Sequence, residues 1–142
     1  MSLEAIIHDS LLAYGPLSAL IGERLYLTQK AQRCSYPCVA YNRVTGAPLY
    51  TQDYAQKAEF GQYRFQFDIF CDTATGGETV LSVRDQLSDA LRTFNAAAVP
   101  QSPAVLTQAP NFIVGERMMN EPQPQQPIWW YRVDAILWYL RQ

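Results

Sequence analysis

The clearest pattern in the chain is a strict alternation of apolar and polar residues between Tyr63 and Asp72. One side carries aromatic and aliphatic groups, and the other carries Arg64, Gln66 and Asp68. Because successive side chains of a strand point to opposite faces of a sheet, this segment predicts a strand with one buried and one polar face. The polar face could be solvated surface, the floor of a catalytic site, or a surface that contacts another chain.

Two segments have the period of an amphipathic helix. The first is predicted to start after Ser2, a possible cap, and to stop at Gly15-Pro16. The second is predicted between Val80 and Phe94, after a break at Gly76-Gly77, with a charged and solvated outer face. Its apolar stripe is Val80, Val83, Leu87, Leu91 and Phe94.

The rest of the pattern predicts strands and their connections. Further strands are expected at Arg24 to Leu27, Pro37 to Val44, Val105 to Gln108, Phe112 to Met118, and from Ile128 to the chain end. Turns are expected at Leu17 to Ile21 and Thr45 to Pro48, and long mobile connections at Leu49 to Glu59 and Asn120 to Pro127. This order predicts one α+β domain over residues 1–142, an antiparallel sheet with two main helices on one face.

The closing strand is apolar on both sides. Large side chains at Trp129, Val133 and Leu137 alternate with others at Trp130, Ile136 and Trp138. A single layer of helices covers only one of these sets. The pattern therefore predicts that the second set meets a partner surface.

Composition narrows the function classes. The 142 residues are 49% hydrophobic and 17% charged, which is typical of a globular domain. The formal net charge of −2 lacks the basic excess of a dedicated nucleic-acid binder. We expect no signal peptide or membrane span, because Glu4 and Asp9 interrupt the first apolar segment and no apolar run is long enough to cross a bilayer. Three cysteines favour a reducing compartment.

Candidate chemistry is sparse. The only histidine, His8, lies beside Asp9 in the first helix without a nucleophile motif, and we interpret it as a surface residue. Cys34 and Cys38 have a spacing that could supply two metal ligands, but the chain offers no second pair, so thiols are the favoured interpretation. The pattern indicates a non-enzymatic domain without a metal or cofactor.

Asp68 is the remaining carboxylate of interest. Asp72 lies on the same strand face, at a distance of roughly 13 Å that is too long for a catalytic pair. Asp68 could meet another carboxylate across the sheet, but an ion-pair ladder with Arg64 or Arg132 is favoured.

The order of segments resembles the tail completion, or tail-terminator, proteins of long-tailed bacteriophages and prophages. The matching segments span nearly the whole chain: the N-terminal amphipathic helix, "LIGERLYL", "YPCVAYNRVTG", "FQFDIFCDT" leading into "VRDQLSDALRTF", and "YRVDAILWY". The Cys-containing "QRCSYPC" and the Pro/Gln-rich segment at 120–127 depart from the family.

The resemblance implies a structural virion protein. Such proteins form rings, typically hexamers, that cap the head-proximal end of the tail tube, end its polymerisation and offer a docking surface to head connector proteins. DNA passes through the lumen without specific binding, and the protein is found in the virion after assembly in the host cytoplasm.

Ten residues are predicted to contact neighbouring subunits or the tube. They are Arg64, Gln66, Asp68, Arg132 and Asp134 on the sheet, with Tyr50, Asp53, Tyr54, Gln123 and Gln125 in the connections. The alternative is a small ligand-binding α+β domain or an enzyme of unknown substrate. A deep cavity with convergent polar groups would favour that alternative.

Overall fold

The computed structural model describes residues 3–28, 35–50, 59–72, 76–92, 112–120 and 128–141. Within these ranges the chain forms three helices and five strands. The helices are α1 (Leu3–Ala13), α2 (Gly15–Ile21) and α3 (Gly76–Arg92). The strands are β1 (Leu25–Leu27), β2 (Cys38–Tyr50), β3 (Glu59–Asp72), β4 (Phe112–Asn120) and β5 (Ile128–Arg141).

The five strands form one sheet in the order β1-β2-β3-β5-β4. The long central pair, β3 and β5, is antiparallel over its whole length, from Glu59 opposite Arg141 to Asp72 opposite Ile128. β2 and β4 flank this pair, also antiparallel. The predicted α+β class is confirmed, with one addition: the short β1 runs parallel to β2.

The helices cover one face of the sheet. One face of the sheet is buried and forms one apolar core with the helices. In β3 and β5 this face carries the odd-numbered residues from Tyr63 to Cys71 and from Tyr131 to Leu137. Fully buried members from the sheet include Tyr41, Phe65, Phe67, Ile69, Val133 and Leu137, and those from the helices include Ile6, Ile7, Leu11, Leu17, Ile21, Val80, Val83, Leu87 and Leu91. The predicted apolar stripe of α3 is therefore confirmed from Val80 to Leu91.

The turn predicted at Leu17 to Ile21 is wrong, because this segment belongs to α2. Pro16 lies in the first turn of that helix, where a missing N–H costs no helical hydrogen bond. Leu17 and Ile21 are buried in the core, so tertiary packing stabilises a helix too short to persist alone. The helix ends at Gly22, whose φ of 60° favours glycine.

The turn predicted at Thr45 to Pro48 is also wrong. β2 continues through this segment to Tyr50, with a bulge between Arg43 and Thr45. Because β1 pairs only with Val39 to Tyr41, this part of β2 lies at an edge of the described sheet, where proline is tolerated.

Several predicted boundaries shift. Gly76 and Gly77 begin α3 instead of separating it from β3, and the ends of both long connections, including Leu49 and Asn120, belong to strands. Some predictions fall outside the described residues. They are the strand at Val105 to Gln108, the end of the α3 stripe at Phe94, and the connections at 51–58 and 121–127. None of the described helices has the length and apolar character needed to cross a membrane.

Candidate functional site on the open face of the sheet

Five of the ten predicted contact residues lie together on the face opposite the helices. β3 contributes Arg64, Gln66 and Asp68, and β5 contributes Arg132 and Asp134. The register places Asp68 opposite Arg132 and Gln66 opposite Asp134. We call this side of the sheet the open face.

Asp68 is held by two donors from β5. Its Oδ1 atom accepts a hydrogen bond of 2.9 Å from Trp130 Nε1 and another of 2.9 Å from Arg132 Nε. The Trp130 ring is itself held by two contacts. It stacks on the Phe70 ring, with 5.9 Å between the ring centroids, and the Arg132 guanidinium lies 5.2 Å from the Trp130 centroid. The charged and aromatic groups therefore form a preorganised unit.

A second ion pair joins the same two strands. Arg64 Nη2 lies 2.9 Å from Asp134 Oδ2, and the Arg64 side chain is 46% exposed whereas that of Asp134 is 18% exposed. The other carboxylate oxygen, Asp134 Oδ1, is buried and accepts no hydrogen bond from the described residues. The predicted ion-pair ladder of the open face is thus present, with one acceptor left over.

An open groove of about 340 Å³ runs beside this ladder towards β4. Gly115 lies opposite Asp134 and Arg117 lies opposite Arg132 in the strand register. Because Gly115 has no side chain, space remains next to Asp134; a Cβ atom there would lie 4.0 Å from Asp134 Oδ2. The groove is lined by Arg64, Gln66, Gly115, Glu116, Arg117, Arg132 and Asp134.

Arg117 and Gly115 were not predicted as site residues. Their strand was predicted, but only the pairing of β4 with β5 brings them to Arg132 and Asp134. Two arginines directly opposite each other repel, so this pairing carries an electrostatic cost in the isolated chain. The sequence "GERM" at residues 115–118 places Gly115 and Arg117 on the same side of a strand. This alternation did not identify a site, because the register between β4 and β5 is not evident from the sequence.

Charged side chains make up most of the lining of the groove. Of its two carboxylates, Asp134 pairs with Arg64, and Glu116 accepts hydrogen bonds from Ser88 and Tyr131. The guanidinium groups of Arg64 and Arg117 belong to exposed residues. Guanidinium groups bind carboxylates or phosphates with two parallel hydrogen bonds. Among the described residues, no group of three histidine, cysteine or acidic side chains is arranged to hold a metal ion.

On the other side of the sheet, charged groups attach the helices. Glu4 of α1 forms a 2.8 Å ion pair with Arg43 of β2, and its carbonyl oxygen accepts a 2.8 Å hydrogen bond from the Tyr41 hydroxyl. Burial, followed by the nearby charges of Glu4 and Asp9, raises the pKa of Tyr41 to about 12. These contacts join α1 to β2.

α3 has a similar polar attachment. The Arg84 guanidinium lies 5.6 Å from the centre of the Tyr131 ring and donates two hydrogen bonds to the Asp85 carboxylate. Hydrogen bonds with Tyr131 and then with Asp85 raise the pKa of Arg84 above its ordinary value. Glu116 accepts hydrogen bonds from Ser88 and Tyr131, at 3.5 Å and 3.4 Å.

The other candidate groups lie elsewhere. His8 lies at the surface of α1, 3.2 Å from Asp9, as predicted. Cys38 and Cys71 are buried thiols, and Cys34 lies outside the described residues. Tyr50 ends β2. The predicted contact residues Asp53, Tyr54, Gln123 and Gln125 lie outside the described residues.

Comparison with known proteins gives a match of fold. No family model matches the chain, and no curated protein matches it either. Among solved structures, a chain from the "Virion of native gene transfer agent (GTA) particle" matches with a TM-score of 0.65 and 17% sequence identity. The match covers 99% of this chain and 96% of that chain. At this identity the likeness shows a shared fold, and it extends over the whole domain.

Proposed function

We propose that this chain is a structural protein of a phage-like virion. The observation that carries the proposal is the end-to-end likeness to one chain of a gene transfer agent virion, with a TM-score of 0.65 over 99% of the residues. This fold match and the order of sequence segments point independently to the same class of particle.

We further propose the more specific role of tail terminator. In this role the chain forms a ring, a hexamer by resemblance, that caps the head-proximal end of the tail tube and stops its growth. The ring then presents a surface to the head connector proteins. The order of the matching sequence segments along nearly the whole chain supports this finer role.

The open face supports assembly into a ring. It bears Phe70, Trp130 and Ile136, all only half-buried in the single chain, next to the ion-pair ladder. A closed ring consumes two different surfaces of each subunit, because its contacts are heterologous. The sheet face that none of the described helices covers and the outer side of the helix layer are two such surfaces.

The alternative position for the open face is the wall of the ring lumen, through which DNA passes. Asp68 and Asp134 each lie 2.9 Å from an arginine, so the ladder alternates charges of both signs. A wall of mixed charge does not hold phosphates strongly, and DNA can slide past it. We propose that the chain is not an enzyme, because Asp68 and Asp134 are each paired with an arginine instead of arranged as a base beside a nucleophile.

Deleting the gene from a genome that produces the particle tests the proposal. Electron microscopy of the lysate is expected to show overlong tubes that carry no heads, and supplying the wild-type chain in trans is expected to restore tail length. Tails of normal length attached to heads, in the absence of the chain, would contradict the proposed role.

A further inference from the structure

The groove of the open face presents positive charge to a partner. The Arg64 side chain is 46% exposed, whereas that of Asp134, its partner, is 18% exposed and has one carboxylate oxygen buried. Both carboxylate oxygens of Glu116 accept hydrogen bonds, one from Ser88 of α3 and one from Tyr131 of the buried sheet face. The two carboxylates that line the groove are thus engaged within the chain, and a partner meets the arginines.

Arg117 is the arginine with the most binding capacity left. The residue is exposed, and no ion pair or hydrogen bond in the described part of the chain uses its guanidinium group. It lies directly opposite Arg132, whose Nε already binds Asp68. Because like charges on neighbouring strands repel, a carboxylate placed beside Arg117 would both neutralise this charge and relieve the repulsion.

The surroundings of the groove favour a protein carboxylate over a nucleic-acid backbone. A DNA backbone binds along rows of cations, but Asp134 and Glu116 interrupt the arginines here, and the chain has a formal net charge of −2. Beside the groove, the stacked rings of Phe70 and Trp130 are only half-buried on the same face. Aromatic residues and arginines together are typical of the centres of protein–protein interfaces.

We propose that the groove binds an acidic segment of another protein, with Arg117 and Arg64 as the residues that hold its carboxylates. These arginines lie on the two strands that flank β5, opposite Arg132 and Ile136. Positions four residues apart on a strand are separated by roughly 13 Å, so a segment with at least two carboxylates can engage both arginines. The inference rests on the proposed function in one respect, since it takes the partner to be another protein of the particle.

Fluorescence anisotropy with a labelled hexaglutamate peptide tests the proposal on the purified full chain at low ionic strength. Wild type is expected to bind the peptide saturably, and Arg117→Gln and Arg64→Gln are each expected to weaken binding at least about fivefold. Arg117→Gln removes none of the ion pairs among the described residues, so its melting temperature should not fall below that of wild type.

Arg92→Gln is the matched control. It removes the same charge from a side chain that is 61% exposed on α3 and lies outside the groove, so it should bind hexaglutamate like wild type. Hexathymidylate, an oligonucleotide of similar charge, is the comparison for phosphate. It is expected to bind at least about fivefold more weakly than hexaglutamate.

Four results would overturn the inference. They are the absence of saturable hexaglutamate binding, an equal loss of binding in Arg92→Gln and Arg117→Gln, and tighter binding of hexathymidylate, which would indicate a nucleic-acid surface. The fourth is self-association in sedimentation velocity that Arg117→Gln abolishes, which would assign the groove to a second copy of the chain. None of these measurements depends on tail length in the deletion strain, so failure of this inference is distinguishable from failure of the proposed function.

Discussion

Asp68 and Arg132 face each other across the two central strands, with 2.9 Å between the carboxylate Oδ1 and the guanidinium Nε. Both side chains are largely buried, at 16% and 21% exposure. The polar side of β3 therefore forms a fixed ladder with β5 on the open face of the sheet. A ladder of this kind suits recognition by another chain better than proton transfer, because its carboxylate is already committed to an arginine.

Removing the Asp68 carboxylate tests how firmly the ladder is fixed. Asp68→Ala leaves the donors of Arg132 and Trp130 without their acceptor, so the free energy of unfolding in urea should fall by about 1–3 kcal/mol. Asp85→Ala is the control, because Asp85 is 60% exposed and pairs only at the surface of α3. The control should lose less than about 1 kcal/mol. Equal losses in the two variants would argue against a fixed ladder.

Placing a charge in the core tests the packing of α3 on the sheet. Leu87 is fully buried and Leu81 is 41% exposed on the same helix. Leu87→Asp buries an unpaired charge and should lower the free energy of unfolding by roughly 3–5 kcal/mol. Leu81→Asp should cost less than about 1 kcal/mol. If the two variants have the same melting temperature, the helix does not pack as described.

Stability at alkaline pH should depend on Tyr41. Its pKa is about 12 in the folded chain, compared with about 10 when unfolded, so between these values the unfolded chain has lost a proton that the folded chain retains. The stabilisation is complete below pH 10 and is lost as pH rises through 12, by up to about 2.7 kcal/mol in all.

Urea unfolding at pH 9 and at pH 11 measures this effect. The Tyr41→Phe variant has no group to ionise at this position, so it should lose less stability between pH 9 and pH 11 than the parent. Its free energy of unfolding at pH 9 should be lower than that of the parent, because it lacks the hydrogen bond to the Glu4 carbonyl oxygen. The other tyrosines are common to both proteins and cancel in the comparison. Equal losses between the two pH values would contradict a buried and protonated Tyr41.

Reversal of Arg64 tests the open face in the assembling particle. Arg64 is 46% exposed, so Arg64→Glu should leave the monomer folded, with a moderate loss of stability from the new repulsion with Asp134. Complementation of a deletion strain by this variant should give overlong tails. Arg64→Gln, which removes the charge without reversing it, is expected to give a milder defect. Tails of normal length with Arg64→Glu would indicate that this face is ordinary solvated surface.

The elements predicted well from the sequence are those whose pattern is local. The α3 stripe from Val80 to Leu91 repeats at helical period, and β3 alternates from Tyr63 to Ile69, so each pattern indicates its own structure. β5 was predicted from Ile128 to the chain end, and the strand runs over Ile128–Arg141.

The errors arose where distant contacts override local signals. Gly46 and Pro48 favour a turn, yet pairing with β3 keeps the chain extended. The seven residues of α2 form a helix because Leu17 and Ile21 are buried in the core. The groove is also non-local, since Arg117 meets Arg132 only through the register between β4 and β5.

The position of the chain in the finished particle tests the central claim most directly. Antibodies raised against the purified chain and coupled to gold can be applied to particles for electron microscopy, with particles from the deletion strain as the control. We expect label at one place on each particle, the junction between the head and the tail. Label along the tube, label at the distal tip, or intact particles that contain no chain would contradict the account.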